Sequence, residues 1–522
     1  MNFSPLDLGV FTVYIIGIAA IGLWLSLKDK QKKAEDYFLA SKSLPWWAVG
    51  GSLIASNISA EQFIGMSGSG YVVGMAIASY ELMAALTLII VAKYFLPVFL
   101  KKGIYTMPQF LEQRFDGRVK TGMAIFWVLL FVFVNITSVL YLGGLALQNI
   151  MGIKMIYGII GLAILAATFS VLGGLKTVVW TDVIQVVVLL FGGFLATYLV
   201  LSAIGGNVFD GFSALIDKAP EKFDMILDRA NSEYKNLPGI GVLIGGMWIA
   251  NLYYWGNNQY IIQRALAAKS LKEAQRGTAF AAFLKILLPI VVVIPGIAAF
   301  VLQADIVKPD EAYPWVLNNY VSVGYKGLVF AALMAAIGSS LSSMVNSAST
   351  IFTLDIYKLI AKKRIERARS EDKHLVYIGK AASGAALILG VIVAPLLGNL
   401  DQAFQYIQEY TGFISPGVVA IFLFGLFWKR TSANAAFIAV LASIPLSAAM
   451  KYFTPETPFL DRMGINFLII SALIIIVSLI ENKTADSKAI QLEKGLFKTG
   501  PVFNYSAITI CGLLALIYAL WW

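Results

Sequence analysis

Ala55–Tyr71 reads ASNISAEQFIGMSGSGY and lies inside a run otherwise apolar enough to cross a bilayer. A spanning helix needs about 20 apolar residues, because lipid cannot satisfy backbone or side-chain polar groups. Here Ser56, Asn57, Ser59, Glu61, Gln62, Ser67 and Ser69 interrupt the run, and Gly65, Gly68 and Gly70 loosen it. Such a segment is tolerated only where protein buries it or where it borders a watery cavity. Interrupted helices of this kind form the midplane binding sites of secondary transporters. The stretch predicts an all-α, multi-pass membrane protein that binds its solute at a broken helix.

Composition agrees. Of the 522 residues, 59% are hydrophobic and 13% charged, against about 25% charged in a soluble domain. Cys511 and His374 are the only cysteine and histidine, which leaves nothing for a disulfide framework, a His-based metal site or a catalytic triad. No enzyme is expected. The net charge of +10 would suit nucleic acid, but the location of the basic residues argues for topology instead.

Apolar runs fall at 6–26, 46–70, 74–100, 121–150, 155–172, 177–204, 239–263, 277–303, 324–357, 375–397, 402–428, 432–453, 464–480 and 502–522. That predicts about fourteen transmembrane helices. The first ends in LKDKQKK and reads as a retained anchor rather than a cleaved signal. Lys28, Lys30, Lys32, Lys33 and Lys42 fill the first loop, and Lys101, Lys102, Arg114, Arg118 and Lys120 the third. The loop after the ninth run holds Lys358, Lys362, Lys363, Arg364, Arg367, Arg369 and Lys373. Counting helices puts all three on one side, which the positive-inside rule makes cytoplasmic, with both termini outside. An amphipathic stretch, Phe209–Leu227, predicts a short external helix, and 481–500 a polar cytoplasmic connection.

A second interruption, NLYYWGNNQY at Asn251–Tyr260, breaks the seventh run. With the first helix set aside, the two broken runs lie five helices apart, the spacing of an inverted repeat. Ionisable residues within spans are functional candidates by default; Glu81, Asp182, Lys285 and Glu409 each stand alone in a long apolar run. Amides at Asn57, Gln62, Asn135, Asn251 and Gln408 both donate and accept, as a hydroxyl-covered ligand requires. Glu81 and Lys285 cancel in charge, which favours a neutral polyol over an acid. Tyr254 is a candidate to stack on a sugar ring, and Trp255 reads as packing. In AAIGSSLSSM, Ala336, Ser339 and Ser340 share a helix face that Ser342 and Ser343 continue. Such hydroxyls suit a small hard cation, and small-residue helix packing competes as an explanation.

The chain resembles the solute:sodium symporter family, and within it the bacterial sugar carriers of sodium/galactose type. The resemblance rests on SLPWWAVGGSLIASNISAEQFIGMSGSGY, KGIYTMPQFLEQRF, FVNITSVLYLGGLAL, GGLKTVVWTDVIQ, GGMWIANLYYWGNNQYIIQRALAAKS, AFQYIQEYTGFISPG and LFGLFWKR. It implies a leucine-transporter-type fold: a leading helix at 6–26, inverted five-helix repeats at 46–204 and 239–428, and trailing helices at 432–522. It further implies sodium-coupled import of a galactose- or glucose-type sugar across a bacterial inner membrane. Gln62, Glu81, Asn135, Asn251, Lys285 and Gln408 would hold the sugar, with Asn57 and Glu61 nearby. Tyr254 would be the inner gate, Met66 and Phe404 the outer one. Sodium, the co-transported ion, would sit among Ala55, Ile58, Ala336, Ser339 and Ser340. A possible second ion would take Asp182, Ser339, Ser342 and Ser343. Two positions depart from the sugar carriers: Ala84 stands where they have serine, and Ser342 where they have alanine. Inositol, sialic acid or proline as solute, or a sugar-sensor role, are the competing expectations.

Overall fold

The computed structural model describes residues 3–28, 37–38, 40–366, 368, 370–397, 403–481 and 484–522. Lys30, Lys32, Lys33, Arg367 and Arg369 of the basic-loop pattern, and the first residue of the predicted 402–428 span, lie outside the described residues. The described residues form helices and no strand; one isolated bridge joins Leu44 to Ala268. The helices named below are α1 Pro5–Lys28, α2 Trp46–Asn57, α3 Ser67–Val72, α4 Ser79–Ile90, α5 Gly117–Leu130 and α6 Thr137–Met151. They continue with α7 Met155–Gly205, α8 Val208–Lys218, α9 Gly246–Leu252, α10 Gln259–Leu266, α11 Leu271–Val292 and α12 Tyr325–Ile351. The remainder are α13 Glu371–Val393, α14 Ala403–Thr411, α15 Ser415–Phe427, α16 Ala433–Phe453, α17 Phe459–Glu481 and α18 Pro501–Leu520.

Ten helices among the described residues are long and apolar enough to span a membrane, where fourteen were expected. The difference lies where the backbone breaks inside an apolar run or stops it short. The 46–70 run divides at Ile58 into α2 and a π-helical turn, Glu61–Met66, that leads into α3. The 239–263 run bends by 79° at Gly245, between a short helix ending at Ile244 and α9, so it forms no single straight span. The 402–428 run divides into α14 and α15. The 155–172 run is helical but short, because α7 kinks at Gly174 (φ 62°), a left-handed conformation natural to glycine. By contrast the brief 464–480 run lengthens into α17. The predicted external helix stops at Lys218, as α8. Ala219 precedes Pro220, whose ring disfavours helical backbone at the residue before it, and Ala219 leaves the helix at φ −144°, ψ 61°.

Burial sorts the helices into centre and rim. In the segment containing α12, 94% of the most apolar window is buried, against 11% for α1 and 17% for α18. α12 also carries the serine-rich stretch, so its hydroxyls face protein and not lipid. α2 and α11 cross at bare backbone: a Cβ on Gly50 would sit 2.6 Å from the Gly277 carbonyl oxygen, and one on Gly277 2.6 Å from that of Trp46. Small residues let membrane helices approach this closely, and the crossing brings Lys285 of α11 beside the break that ends α2.

Contacts between loops sort the two ends of the molecule. The 101–120 loop receives the 484–500 segment: Arg114 pairs with Asp486 at 3.5 Å, and Lys488 donates to the Phe115 carbonyl at 2.6 Å. Lys42 lies over the Tyr105 ring at 5.3 Å. At the other end, Asp7 accepts from the Gly324 and Gly327 amides, both at 2.9 Å, and the Met225 amide donates to the Trp521 carbonyl at 2.8 Å. Both chain ends therefore lie with the 205–238 and 303–323 loops, opposite the basic loops.

Candidate functional site

The site begins with orphan backbone groups. The last carbonyls of a helix have no intrahelical partner, and α2 ends buried inside the protein. Ile58, extended at ψ 116°, donates its amide to Ile54. The carbonyls of Ala55, Ser56 and Ile58 instead converge on the Ser340 hydroxyl of α12, at 3.4, 2.9 and 2.9 Å. One hydroxyl proton cannot serve three acceptors. The cluster is a ring of hard oxygens, which is what a small monovalent cation coordinates. Ala336, fully buried, lies one turn before Ser340 on the same helix.

Side chains at the same break face the other way. Lys285 pairs with Glu81 of α4 and donates to Asn57 Oδ1, and its ammonium lies 5.0 Å from the Trp255 ring centroid. Asn57 Nδ2 donates to the Tyr254 hydroxyl at 2.9 Å, and Tyr254 also accepts from Tyr260. A continuous hydrogen-bonded path thus runs from Glu81 through Lys285 and Asn57 to Tyr254, joining four elements. These residues border a cavity of about 50 Å³. That is room for only a few waters and far below the roughly 300–1,000 Å³ of small-molecule sites, because Lys285 and Tyr254 reach across it to Asn57.

Glu61, Gln62, Asn251, Gln408 and Phe404 also line this cavity, together with Ala84 and Trp255. Most are already engaged. Glu61 accepts from Ser138 at 3.0 Å, Gln62 Oε1 caps the helix restart by accepting from Ser59, and Asn251 donates to the Met247 carbonyl at 3.1 Å. Two expected residues do not border the cavity. Asn135 is buried behind Ser138, its Oδ1 unpaired among the described residues. Met66 is fully buried at the end of the π-helical turn, whereas Phe404 packs edge-on against Tyr80 at 5.2 Å. Of the two expected outer-gate residues, only Phe404 faces the site. Trp255, expected to be packing alone, does both: it is 2% exposed and lies under Lys285.

Asp182, in the second limb of α7, forms a neighbouring cluster. It accepts from Ser339 at 2.5 Å, Ser52 at 2.5 Å and Ser56 at 3.3 Å. Arg264 of α10 stands 3.8 Å away and also donates to Ser343, which bonds Ser56 at 3.0 Å. Ser339, expected in the first cation set, is thus directed at Asp182. Ser342 turns back to the Ser339 carbonyl of its own helix at 2.9 Å.

A family profile described as the sodium:solute symporter family matches residues 37–443. The chain belongs to that family. The sodium/glucose cotransporter of Vibrio parahaemolyticus is 54% identical over an alignment covering all of this chain and 99% of that protein. The sodium/myo-inositol cotransporter 2 of Mus musculus is 33% identical, covering 85% of this chain and 70% of that one. Among solved structures, a substrate-bound, outward-open Na+-coupled sialic acid symporter superposes with a TM-score of 0.81 at 24% identity, covering 94% of this chain and all of that one. Mhp1, a nucleobase-cation-symport-1 transporter, superposes at 0.55 and 15% identity, covering 88% and 98%. The likeness to these two establishes the fold, that of leucine-transporter-type carriers. Sodium is the co-transported ion that family membership implies.

Arg264, Ser138 and Met463, and the partners of Glu409, escaped the sequence reading. Arg264 sits in IIQRALAAKS, near the end of a run, where a basic residue is unremarkable. Glu409, read as a lone charge, pairs with Arg462 of α17 at 2.5 Å and Lys451 of α16 at 3.2 Å. Ser138, three residues beyond Asn135, had a helical-spacing signal that could have linked it to the amide set. Met463 lines the cavity from a trailing helix with no such signal.

Proposed function

We propose that this chain imports a neutral hexose of galactose or glucose type, driven by sodium, through alternating access. The observation that carries this reading is the Lys285–Glu81 pair at the centre of the cavity, flanked by Asn57, Gln62, Asn251 and Gln408. Paired charges present both donors and acceptors with no net charge, which matches hydroxyls and disfavours an acid such as sialic acid. Sugar entry would separate Lys285 and Tyr254 from Asn57 and hand their hydrogen bonds to the ligand. Asn135 would join only if Ser138 and Glu61 move. Tyr254 would be the inner gate and Phe404 the outer one.

Sodium would bind where the Ala55, Ser56 and Ile58 carbonyls meet Ser340, with Ala336 adjoining. Asp182 already has a cation beside it. A second sodium at Asp182, Ser339, Ser342 and Ser343 would require Arg264 to leave Ser343, so we favour one ion per sugar. An inverted repeat at 46–204 and 239–428 is supported by the matched breaks: Ile58 and Asn258 are both extended, ψ 116° and 124°, and each separates two helical segments. The basic-loop face would be cytoplasmic and both termini outside, in a bacterial inner membrane.

Inositol is the second reading, favoured by the 33% identical myo-inositol cotransporter and by a cavity whose groups suit any polyol. Uptake of labelled galactose, glucose, myo-inositol, sialic acid and proline into proteoliposomes, with and without a sodium gradient, tests the proposal. Sodium-dependent uptake of a hexose is expected. Uptake restricted to inositol or to an acid would overturn it, as would hexose binding without transport, the behaviour of a sensor.

A further inference from the structure

A groove of about 610 Å³ opens between α11 and α18, away from the sugar cavity. Arg276 reaches into it from α11, nine residues before Lys285. At about 100° per residue that separation places the two cations on opposite faces of the helix. Trp46, Phe280 and Phe283 line one wall, Tyr505 and Thr509 the other, and no carboxylate borders it among the described residues. The one acid within a turn, Glu273, is occupied: it accepts from the Trp46 amide at 2.8 Å and faces Lys269 at 3.9 Å. Arg276 makes no ion pair or hydrogen bond among the described residues. It is a half-buried cation, the one charged side chain in a cleft lined mostly by apolar groups among the described residues.

The groove opens at the basic-loop end. Trp46 follows Leu44, which pairs with Ala268, and Pro501 follows the segment seated on the 101–120 loop. Exposed Lys269, Lys272, Lys494 and Lys498 flank the two helix starts in sequence. An aromatic-lined cleft under a basic rim, at the leaflet that carries anionic lipid, matches a phosphate headgroup above two acyl chains. We propose that this groove holds one anionic phospholipid, its phosphate on Arg276 and its chains along Phe283 and Ile510. Both walls touch the transport site: α11 carries Lys285, and Tyr518 of α18 donates to Ser79 at 3.0 Å, two residues before Glu81. A lipid there would brace the helices that hold the Lys285–Glu81 pair in register.

The test is native mass spectrometry of the full chain titrated with phosphatidylglycerol or phosphatidylcholine. One phosphatidylglycerol should be retained per chain, with about a fivefold preference over phosphatidylcholine, the effect of one basic residue on an anionic headgroup. Arg276→Gln should abolish the preference and Arg276→Lys should keep most of it, each variant first shown to bind sodium-dependent sugar. An unchanged preference in Arg276→Gln, or equal retention of both lipids by the unmodified chain, would overturn the proposal. So would disulfide cross-linking between two copies through Ser506→Cys in a Cys511→Ser background, which would give the groove to a second copy.

Discussion

Replacing Lys285 with alanine removes the cation that Glu81 and Asn57 share. The side chains of Lys285 and Glu81 are 1% and 4% exposed, so bulk water cannot stand in for the ammonium. Removing one member of a buried ion pair costs about 3–5 kcal/mol, and an unserved Asn57 carbonyl adds about 1–3 kcal/mol. Most of that cost falls on folding; the charged hydrogen bond that the sugar itself loses is worth about 1.5–3 kcal/mol, a roughly 10- to 150-fold loss in sugar affinity. The assay is equilibrium sugar binding alongside sodium-driven uptake in proteoliposomes, with protein amount and thermal unfolding measured in parallel. A companion variant, Glu81→Gln with Lys285→Met, separates ligand from scaffold. Neutral replacement of both partners relieves the stranded charge but leaves no ammonium or carboxylate for hydroxyls. It should fold better than Lys285→Ala and still fail to transport. Uptake by Lys285→Ala within about twofold of the unmodified protein, or uptake restored in the double variant, would refute the assignment.

Ala84 borders the cavity one turn beyond Glu81. Ala84→Ser should tighten one sugar epimer by no more than roughly tenfold, the value of a neutral hydrogen bond, and competition assays that leave every epimer unchanged would remove that contact. Tyr254→Phe deletes the hydroxyl that accepts from Asn57 and Tyr260. Sugar binding should stay within about tenfold, one neutral hydrogen bond at most, while the transport rate changes; equal losses in both would make Tyr254 a ligand rather than a gate. Sugar flux in proteoliposomes should reverse at gradients that mean one sodium per sugar, with Ser342→Ala unchanged, because Arg264 already serves Asp182. A ratio of two that falls to one in Ser342→Ala would establish the second ion.

Bilayer physics explains what could be read from the sequence. Lipid penalises every charge within a span, so Glu81, Lys285, Asp182 and Glu409 stood out without any knowledge of the fold. Their partners did so unevenly. Lys285 is itself mid-span and was visible, although 204 residues from Glu81. Arg264, Arg462 and Lys451 lie near the ends of apolar runs, where charge is ordinary, so hydropathy could not pair them. The same limit produced fourteen spans where ten long helices form among the described residues. Apolar composition continues through Ile58 and Gly245, but backbone direction does not. Helical periodicity put Ser339, Ser342 and Ser343 on roughly one face. It could not show that Ser342 turns back to its own helix while Ser339 and Ser343 point outward.

On the proposed reading, coupling of sodium to sugar follows from how short the break is. Ala55, Ser56 and Ile58 turn carbonyls toward Ser340, while Asn57, between them in sequence, turns its amide toward Lys285 and Tyr254. Both ligands would therefore read the backbone angles of the same four residues. An ion held by those carbonyls fixes the angles and with them the Asn57 amide, so sugar meets a preformed site and sodium would bind first. When the ion leaves inward, the carbonyls lose their partner, at about 1–3 kcal/mol for each buried group left unserved. The segment then gains by rewinding or by moving toward water, and either motion draws Asn57 away from Tyr254 and loosens the inner gate. A ligand can shift such an equilibrium only by its differential affinity for the two states. One sodium falling through about 100 mV and a tenfold gradient supplies roughly 2.3 plus 1.4 kcal/mol, enough for a few-hundred-fold sugar gradient. Two or three orphaned carbonyls are worth about as much, so this one break is large enough to couple the ion to the sugar.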